Sequence, residues 1–234
     1  MWQRWVVQLV VAPTAEQAAI TAAAWIMRRV SSAVRLRGTC RIAVSGGSTP
    51  VLMFDALAQM PVPWERVQLF QVDERVAPDG DPDRNATQLT DHLIRHVTIR
   101  PGSVHLMPVT AAALPSAAAR YARVIGQAPL DIVHLGLGDD GHTASWPPGD
   151  PVIDALGAVA ISGEYNARVR MTLTPGIVNA ARSRLLLITG ASKSTPLAAW
   201  LNGPPDTRAG LPVSRVRRVG TTVVADTAAA SRLA

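Results

Sequence analysis

The stretch from Asp131 to Gly149 reads DIVHLGLGDDGHTASWPPG. Its first six residues are mostly apolar without alternation, which is typical of a strand buried on both faces of a sheet. The rest combines glycines, two adjacent carboxylates, a histidine and two hydroxyls, and Pro147 and Pro148 stop any helix from forming there. We therefore expect a buried strand that leads into a flexible, chemically rich loop.

Segments of the same kind recur along the chain. Strands are predicted over residues 4–12, 40–45, 67–74, 131–136, 169–174, 184–190 and 221–226. Helices are predicted between Thr14 and Gly38, from about Pro50, over 86–97 with Asn85 as cap, over 117–125 with Ser116 as cap, over 176–182, and from Ser192 to about Asn202. This alternation predicts one Rossmann-like α/β domain over residues 1–234, with a mainly parallel sheet covered by helices on both faces.

Ligand sites in such sheets lie at the carboxyl ends of the strands. Four predicted strand ends carry polar groups, namely 45–48, 73–75, 138–142 and 190–193. We expect these four segments to meet at one edge of the sheet.

Composition excludes several classes of protein. Apolar residues make up 48% and charged residues 17%, as in ordinary globular proteins, and no apolar run is long enough to span a membrane. Cys40 is the single cysteine, which rules out an internal disulfide and thiolate zinc sites and fits a cytoplasmic protein. The start of the chain fits a first strand better than a secretory signal.

The net charge of +6 raises the question of an anionic partner. Arginines are scattered along the chain without interleaved aromatic residues, so we predict a solvated surface and no nucleic-acid partner. Lys193 is the single lysine among 23 cationic side chains. This pattern suggests a site that requires an ammonium group, with a solvated leftover lysine as the plain alternative.

The segment VSGGSTP (44–50) leads from a strand into a helix. Its glycines allow a ligand close to the backbone, and its hydroxyls and free amides at a helix start favour an anion. We predict phosphate binding at Ser45, Gly46, Gly47, Ser48 and Thr49. A plain turn capped by Ser48 or Thr49 is the alternative.

His142 is the candidate for acid–base chemistry, because imidazole titrates near neutral pH and carboxylates lie next to it. Asp140 and Asp73 are the two candidates to orient its ring. Asp73, Glu74 and Arg75 form either an ion-pair cluster or a base with a phosphate ligand.

Other functional patterns are weak. A metal site of Asp73, Asp140 and His142 lacks the usual ligand spacing, so we predict neither a metal nor a cofactor. The glycine pattern 136–141 formally matches a dinucleotide fingerprint, but no helix follows it and two aspartates would repel a pyrophosphate. The chain also lacks a complete phosphate-binding P-loop and a serine-nucleophile elbow.

Several motifs together resemble one known family. SGGSTP, VDERVAP, LGLGDDGHTAS, RMTLT and ITGASK, in this order and with these separations, are similar to those of 6-phosphogluconolactonases. The resemblance runs nearly end to end. It implies a fold similar to glucosamine-6-phosphate deaminases, and hydrolysis of 6-phospho-D-glucono-1,5-lactone in the oxidative pentose phosphate pathway without a cofactor.

The resemblance also assigns residues. It implies that His142 is catalytic and that the 45–49 turn, Arg75, Arg170 and Lys193 contact the phosphate. Trp146 to Gly149 and Arg84 depart from the family pattern and are expected to reshape the rim of the pocket. The expected partner is a small sugar phosphate lactone, and the protein is expected to be a monomer or a small homo-oligomer.

Three alternatives to the lactonase remain. An isomerase or deaminase acting on amino-sugar phosphates is disfavoured, because Trp146-Pro147-Pro148 replaces the segment that supplies a further carboxylate in deaminases. A sensor that binds sugar phosphates without catalysis would not need His142 and its neighbouring aspartate. A nucleic-acid-binding protein would need a basic surface that the scattered arginines do not indicate.

Overall fold

The computed structural model describes residues 7–233, which contain ten strands and eight α-helices. The strands are β1 (Gln8–Ala12), β2 (Cys40–Val44), β3 (Val67–Gln71), β4 (Asp73–Arg75), β5 (Val104–His105), β6 (Ile132–Leu135), β7 (Val159–Tyr165), β8 (Arg168–Leu173), β9 (Ser183–Ile188) and β10 (Thr221–Asp226). The helices are α1 (Ala15–Arg37), α2 (Ser48–Ala58), α3 (Asn85–His92), α4 (Leu114–Ile125), α5 (Pro175–Ala180), α6 (Ser194–Asn202), α7 (Pro205–Ala209) and α8 (Thr227–Ala230). The first residues of the predicted strand 4–12 lie outside the described part.

Seven strands form one sheet in the order β1-β10-β9-β6-β2-β3-β5. Every neighbouring pair in it is parallel. Along β9 the side chains alternate between two hydrophobic cores: Leu185 and Leu187 belong to one, and Leu186 and Ile188 belong to the other. The predicted α/β class with a mainly parallel sheet is confirmed.

Helices cover both faces of this sheet. Helices α1, α2 and α3 pack into one core, and α4, α5 and α6 pack into the other. Helix α1 begins and ends as predicted: the Thr14 side chain accepts a hydrogen bond from the Gln17 amide at 3.3 Å, and Gly38 takes the left-handed conformation with φ of 79°. None of the described helices is both long and apolar enough to cross a bilayer.

A second sheet of three strands, in the order β4-β8-β7, was not predicted. Its strands pair antiparallel, and β8 corresponds to the predicted strand 169–174. The predicted strand 67–74 is in fact two strands, because the chain changes sheets at Val72. The Val72 amide donates to Val44 of the large sheet at 2.9 Å, while its carbonyl accepts from Leu173 of the small sheet at 2.7 Å.

Three predicted helix caps are wrong by one or more residues. Asn85 is the first residue of α3, and the cap is the Glu74 carboxylate, which accepts from the Asn85 and Ala86 amides at 2.8 Å each. Helix α4 begins before Ser116, since Pro115 fits the first helical turn. Ser192 lies in a short 3₁₀ turn that precedes α6. A side chain distant in sequence or an extra turn can thus replace a local cap.

The turn between β7 and β8 holds two non-glycine residues in the left-handed conformation, with φ of 50° at Asn166 and 57° at Ala167. Asparagine tolerates this conformation, whereas alanine meets a steric cost of about 1–2 kcal/mol. Ala167→Gly relieves that cost but gives the unfolded chain more freedom. We expect a net gain of about 0.5–1 kcal/mol in the free energy of unfolding, measured by urea denaturation.

Ala119→Gly is the matched control, because Ala119 is exposed within α4 and has ordinary helical geometry. This control should lose about 1 kcal/mol. A loss of stability in both variants would contradict strain at Ala167.

Candidate active site

The carboxyl ends of the strands open into one cavity of about 200 Å³. It lies between β2 and β6. From β2 the sheet grows towards one edge through β3 and β5, and the chain then returns to place β6 on the other side of β2. Parallel α/β sheets bind ligands at such a reversal of strand order. All four predicted segments reach the cavity. The predicted residues that line it are Ser45, Gly46, Gly47, Ser48, Thr49, Asp73, Arg75, His142, Arg170 and Lys193. Asp140 is not in this lining but contacts His142 directly.

His142 pairs with Asp140 and not with Asp73. The ring Nδ1 lies 2.6 Å from Asp140 Oδ1, and the same oxygen accepts the His142 amide at 3.0 Å. Since a carboxylate only accepts, Nδ1 carries a proton, and in the neutral ring Nε2 keeps its lone pair. The sequence left both aspartates open as partner, and the geometry favours Asp140.

The Asp140 carboxyl is held in its charged form. Partial burial alone would raise its pKa, but hydrogen bonds from the His142 amide and the Tyr165 hydroxyl outweigh burial and lower the pKa below its ordinary value. The Tyr165 hydroxyl donates to Asp140 Oδ2 at 2.7 Å. The anion therefore faces the histidine throughout the neutral pH range.

Gly138 makes room for the histidine ring. A Cβ at this position would lie 2.0 Å from His142 Nδ1 and 2.7 Å from Asp140 Oδ1. The Gly138 amide also donates to the His142 carbonyl at 2.7 Å. The glycine-rich loop is thus a steric requirement of the His142–Asp140 pair, and residues 136–150 contain no helix.

The residues after His142 tie the loop to the rest of the protein. Thr143 Oγ1 donates to the Gly136 carbonyl at 2.7 Å, and Ser145 Oγ donates to Asp73 Oδ2 at 2.7 Å. Between them Ala144 lines the cavity with a positive φ of 52°. Trp146 is fully buried, and its indole N–H donates to the Leu173 carbonyl at 2.8 Å. The loop is therefore held by a bond within itself and by bonds to the small sheet.

The small sheet brings charged side chains to the cavity. Asp73 and Arg75 are two residues apart on β4 and so share one face, while Glu74 points the other way. Arg75 lies directly opposite Arg170 on β8. Like charges in opposite positions repel each other. Such a pair suits a site that receives an anion.

Burial disfavours the charged forms of Asp73 and Arg170. Burial raises the pKa of Asp73, whereas the hydrogen bond from Ser145 and the charge of Arg170 oppose that rise. Arg170 is buried as well, which lowers the pKa of its guanidinium, and its Nε finds no hydrogen-bond partner among the described residues. A bound anion would supply the missing acceptor.

The turn after β2 forms another wall of the cavity. Gly46 must lack a side chain, because a Cβ would lie 2.3 Å from Asn85 Oδ1. Helix α2 begins at Ser48, so amides of its first turn are free of intrahelical bonds. Thr49 Oγ1 and Thr189 Oγ1 lie 2.8 Å apart and connect this wall to the end of β9.

Lys193 stands on the segment that follows β9. Within residues 7–233 its ammonium group forms no salt bridge, in contrast to many of the arginines. A cavity-lining ammonium without a protein carboxylate is available to a ligand.

Arg84, Trp146 and Glu74 lie outside the lining of the cavity. The expected effect of the departures at Arg84 and Trp146 on its rim would therefore be indirect and stays a prediction. Arg84 is buried and its Nε lies 3.0 Å from the buried Glu74 Oε2. Glu74 in turn accepts the amides of Arg75 and Asn85 at 2.8 Å each. This member of the 73–75 cluster is therefore structural.

No group of three or more His, Cys, Asp or Glu side chains in the described part is arranged to hold a metal ion. Asp73 is engaged with Ser145, and Asp140 is engaged with His142 and Tyr165. The open possibility of a site made of Asp73, Asp140 and His142 thus finds no support in the side-chain positions.

Sequence reasoning missed three residues at the site. Asn85 lines the cavity, and its side-chain amide donates to the Asp73 carbonyl at 2.9 Å. Thr189 directly follows β9, where a polar residue before a glycine was a usable signal. Tyr165 lies on β7, and that strand was overlooked because its hairpin turn has the sequence Asn-Ala in place of the usual Asn-Gly.

A crevice at the switch point of a parallel sheet, with a histidine–carboxylate pair and unpaired cations, defines an α/β enzyme. The profile of the family described as glucosamine-6-phosphate isomerases/6-phosphogluconolactonase matches residues 13–224. The chain therefore belongs to this family.

Individual relatives agree with this assignment. A 6-phosphogluconolactonase of Synechocystis sp. is 35% identical over 181 residues, which cover 74% of this chain and 75% of that protein. A 6-phosphogluconolactonase of Streptomyces coelicolor is 32% identical, and the match covers 97% of this chain and 94% of that protein.

Solved structures share the fold. The 6-phosphogluconolactonase of Trypanosoma cruzi is 25% identical with a TM-score of 0.85, and the match covers 99% of this chain and 98% of that one. A monomeric glucosamine-6-phosphate deaminase is 20% identical with a TM-score of 0.83, covering 97% of this chain and 100% of that one. At that identity the likeness to the deaminase concerns the fold alone.

Gly138→Ala should push the His142 ring out of place, because the added methyl would overlap Nδ1. We expect activity to fall by at least about tenfold, since small displacements of a catalytic group cost that much or more. Turnover on the lactone, together with thermal unfolding to check the fold, measures the effect.

Gly102→Ala is the control, because a Cβ there meets no atom within 4 Å and φ is not positive. It should leave turnover unchanged. Full activity of Gly138→Ala would show that the ring position does not depend on this glycine.

Proposed function

We propose that the protein hydrolyses 6-phospho-D-glucono-1,5-lactone to 6-phosphogluconate, the lactonase step of the oxidative pentose phosphate pathway. One observation carries the proposal: His142, whose Nδ1 lies 2.6 Å from Asp140 Oδ1, lines the same small cavity as Arg170 and Lys193, neither of which forms a salt bridge within residues 7–233. A base and an anion site in one cavity suit a lactone that carries a phosphate. The names of the curated relatives support this substrate.

The proposed reaction begins with a water molecule at the lactone carbonyl. His142 Nε2 takes a proton from the water while the water oxygen bonds to the carbonyl carbon. The tetrahedral intermediate then collapses, the bond from that carbon to the ring oxygen breaks, and His142 returns the proton to the departing oxygen. A positioned general base of this kind contributes roughly 10²–10⁴ in rate.

Asp140 supports both proton transfers. It holds the ring by the Nδ1 hydrogen bond, and its charge stabilises the imidazolium that forms between the two steps. Asp73 has a different proposed role. It anchors Ser145 of the histidine loop and lies close enough to Arg170 for the two charges to influence each other.

The cations and the β2 turn are proposed to hold the phosphate. Lys193 offers a compact charge, the start of α2 offers free amides, and Arg75 and Arg170 offer guanidinium groups that match phosphate oxygens. Phosphate held there leaves the lactone ring to face His142. Such positioning lowers the barrier by fixing the reacting atoms beforehand.

A deaminase or isomerase of amino-sugar phosphates is the closest alternative within the family. Acid release from fresh 6-phosphogluconolactone, corrected for spontaneous hydrolysis, and ammonia release from glucosamine 6-phosphate separate the two. We expect acid release alone. Ammonia release without lactone hydrolysis would replace the proposal by the deaminase, and binding without either reaction would indicate a sensor.

Three further predictions from the sequence remain proposals. They are a single domain over residues 1–234, a cytoplasmic location, and activity without a cofactor or metal. The location rests on Cys40, a single cysteine that cannot form an internal disulfide.

His142→Ala should fold and lose most of the hydrolytic rate, about 10²–10⁴-fold in kcat, because the general base is gone. His96→Ala is the matched control, since His96 is exposed on a 3₁₀ turn and does not line the cavity. A folded His142→Ala protein that turns over at nearly the wild-type rate would end the proposal of a general base.

Lys193→Met should raise KM much more than it lowers kcat, because a phosphate contact is present in the ground state and in the transition state alike. A charge-assisted hydrogen bond of roughly 1.5–3 kcal/mol corresponds to about ten- to a hundredfold in kcat/KM. Steady-state kinetics on the phosphorylated lactone measures the change.

Gluconolactone without the phosphate is the control substrate, on which wild type and Lys193→Met should perform alike. Lys193→Arg keeps the charge and should recover part of the affinity. An equal loss on both lactones would place Lys193 at the reacting carbonyl.

A further inference from the structure

Tyr165 contacts both members of the His142–Asp140 pair. Its hydroxyl lies 2.7 Å from Asp140 Oδ2 and 3.4 Å from His142 Nδ1. The two aromatic rings meet edge to face with centroids 5.3 Å apart. Asp140 thus accepts a hydrogen bond from Tyr165 at Oδ2 and one from His142 at Oδ1.

Tyr165 also contacts Arg170, a cation that lines the cavity. The guanidinium carbon of Arg170 lies 5.0 Å from the centroid of the phenol ring, within the range of a cation–π interaction. An Arg170 nitrogen also lies 3.4 Å from the Tyr165 carbonyl. One side chain therefore connects the histidine pair to a cation proposed to bind the phosphate.

We propose that Tyr165 is a positioning residue that acts on the reaction through Asp140 and Arg170. Its hydroxyl fixes the carboxylate that orients His142, and its ring supports the guanidinium. The inference rests on the proposed function for its kinetic consequences, whereas its effect on the His142 ring does not depend on the substrate.

The hydroxyl also weakens the effect of the Asp140 charge on His142. By donating to Asp140, Tyr165 disperses the negative charge and so weakens the stabilisation of a protonated imidazole. The charged groups that face the phenol are Asp139, Asp140 and Arg170. Burial first, and then Asp140, raise the pKa of Tyr165 to about 12, so the phenol remains a donor.

Without the Tyr165 hydroxyl, Asp140 loses one of its hydrogen-bond donors, and its negative charge acts more strongly on His142. The protonated form of His142 is then favoured, and fewer molecules hold the free base at a given pH. The acid limb of the pH profile of kcat/KM should therefore move to higher pH in Tyr165→Phe, by roughly half a unit. We expect kcat to fall about three- to tenfold and KM to change little, because the ring beneath Arg170 remains.

Tyr165→Leu removes the hydroxyl and the ring together. It should show the same shift of the acid limb and, in addition, a several-fold rise in KM for the phosphorylated lactone, because Arg170 loses its support. The contrast between the two variants separates the effect on Asp140 from the effect on Arg170.

Tyr121→Phe is the matched control. The Tyr121 hydroxyl is buried, accepts the Gln71 amide at 2.8 Å and shares its one proton between the Gln71 and His105 carbonyls at 3.0 and 3.1 Å. It lies outside the cavity lining. Its loss should lower the melting temperature and leave the acid limb in place. A purely structural role of Tyr165 would give this same pattern.

The deciding experiment combines the kinetics with an NMR titration of the His142 ring in the enzyme without substrate. The inference expects the ring of Tyr165→Phe to protonate at higher pH than the wild-type ring, in step with the acid limb. An unchanged ring titration in folded Tyr165→Phe would overturn it. If the wild-type protein failed to hydrolyse the lactone, the proposed function would fall, and the titration alone would still decide the role of Tyr165.

Discussion

The backbone of Val72 joins the two sheets on which the site is built. Its amide completes the ladder of the parallel sheet, and its carbonyl accepts from β8 of the small sheet. The chain therefore leaves one sheet and enters the other within a single residue. This crossing carries Asp73 and Arg75 to the edge where the parallel strands end, beside the loop that holds His142.

The chemistry of the site follows from that meeting of two sheets. The parallel sheet supplies loops with free amides, glycines and the histidine pair, as parallel α/β sheets commonly do. The small sheet supplies Arg170, which is buried, and Arg75, which is half-buried. The two lie opposite each other and repel, while Asp73 and Asp140 are the carboxylates that partly offset the charge of Arg170. A bound phosphate would relieve the repulsion, so the site is electrostatically suited to its proposed ligand.

Local patterns in the sequence predicted the parallel sheet, the helix α1 and the four segments of the site, because apolar runs, caps and glycine-rich strand ends act over a few residues. Contacts distant in sequence were out of reach. Glu74 replaces Asn85 as the cap of α3, and Ser145 rather than His142 binds Asp73. Tyr165 stands 23 residues after His142 on a hairpin with an unusual turn, so no local signal connected the two.

The orientation of the ligand tests most directly the claim that one cavity holds a base and a phosphate site. A crystal structure with 6-phosphogluconate, the proposed product, measures it. We expect phosphate oxygens within hydrogen-bond distance of Lys193 and the start of α2, and the carboxylate of the product within reach of His142 Nε2. A phosphate bound against His142, with the carboxylate at Lys193, would contradict both the general base and the phosphate site.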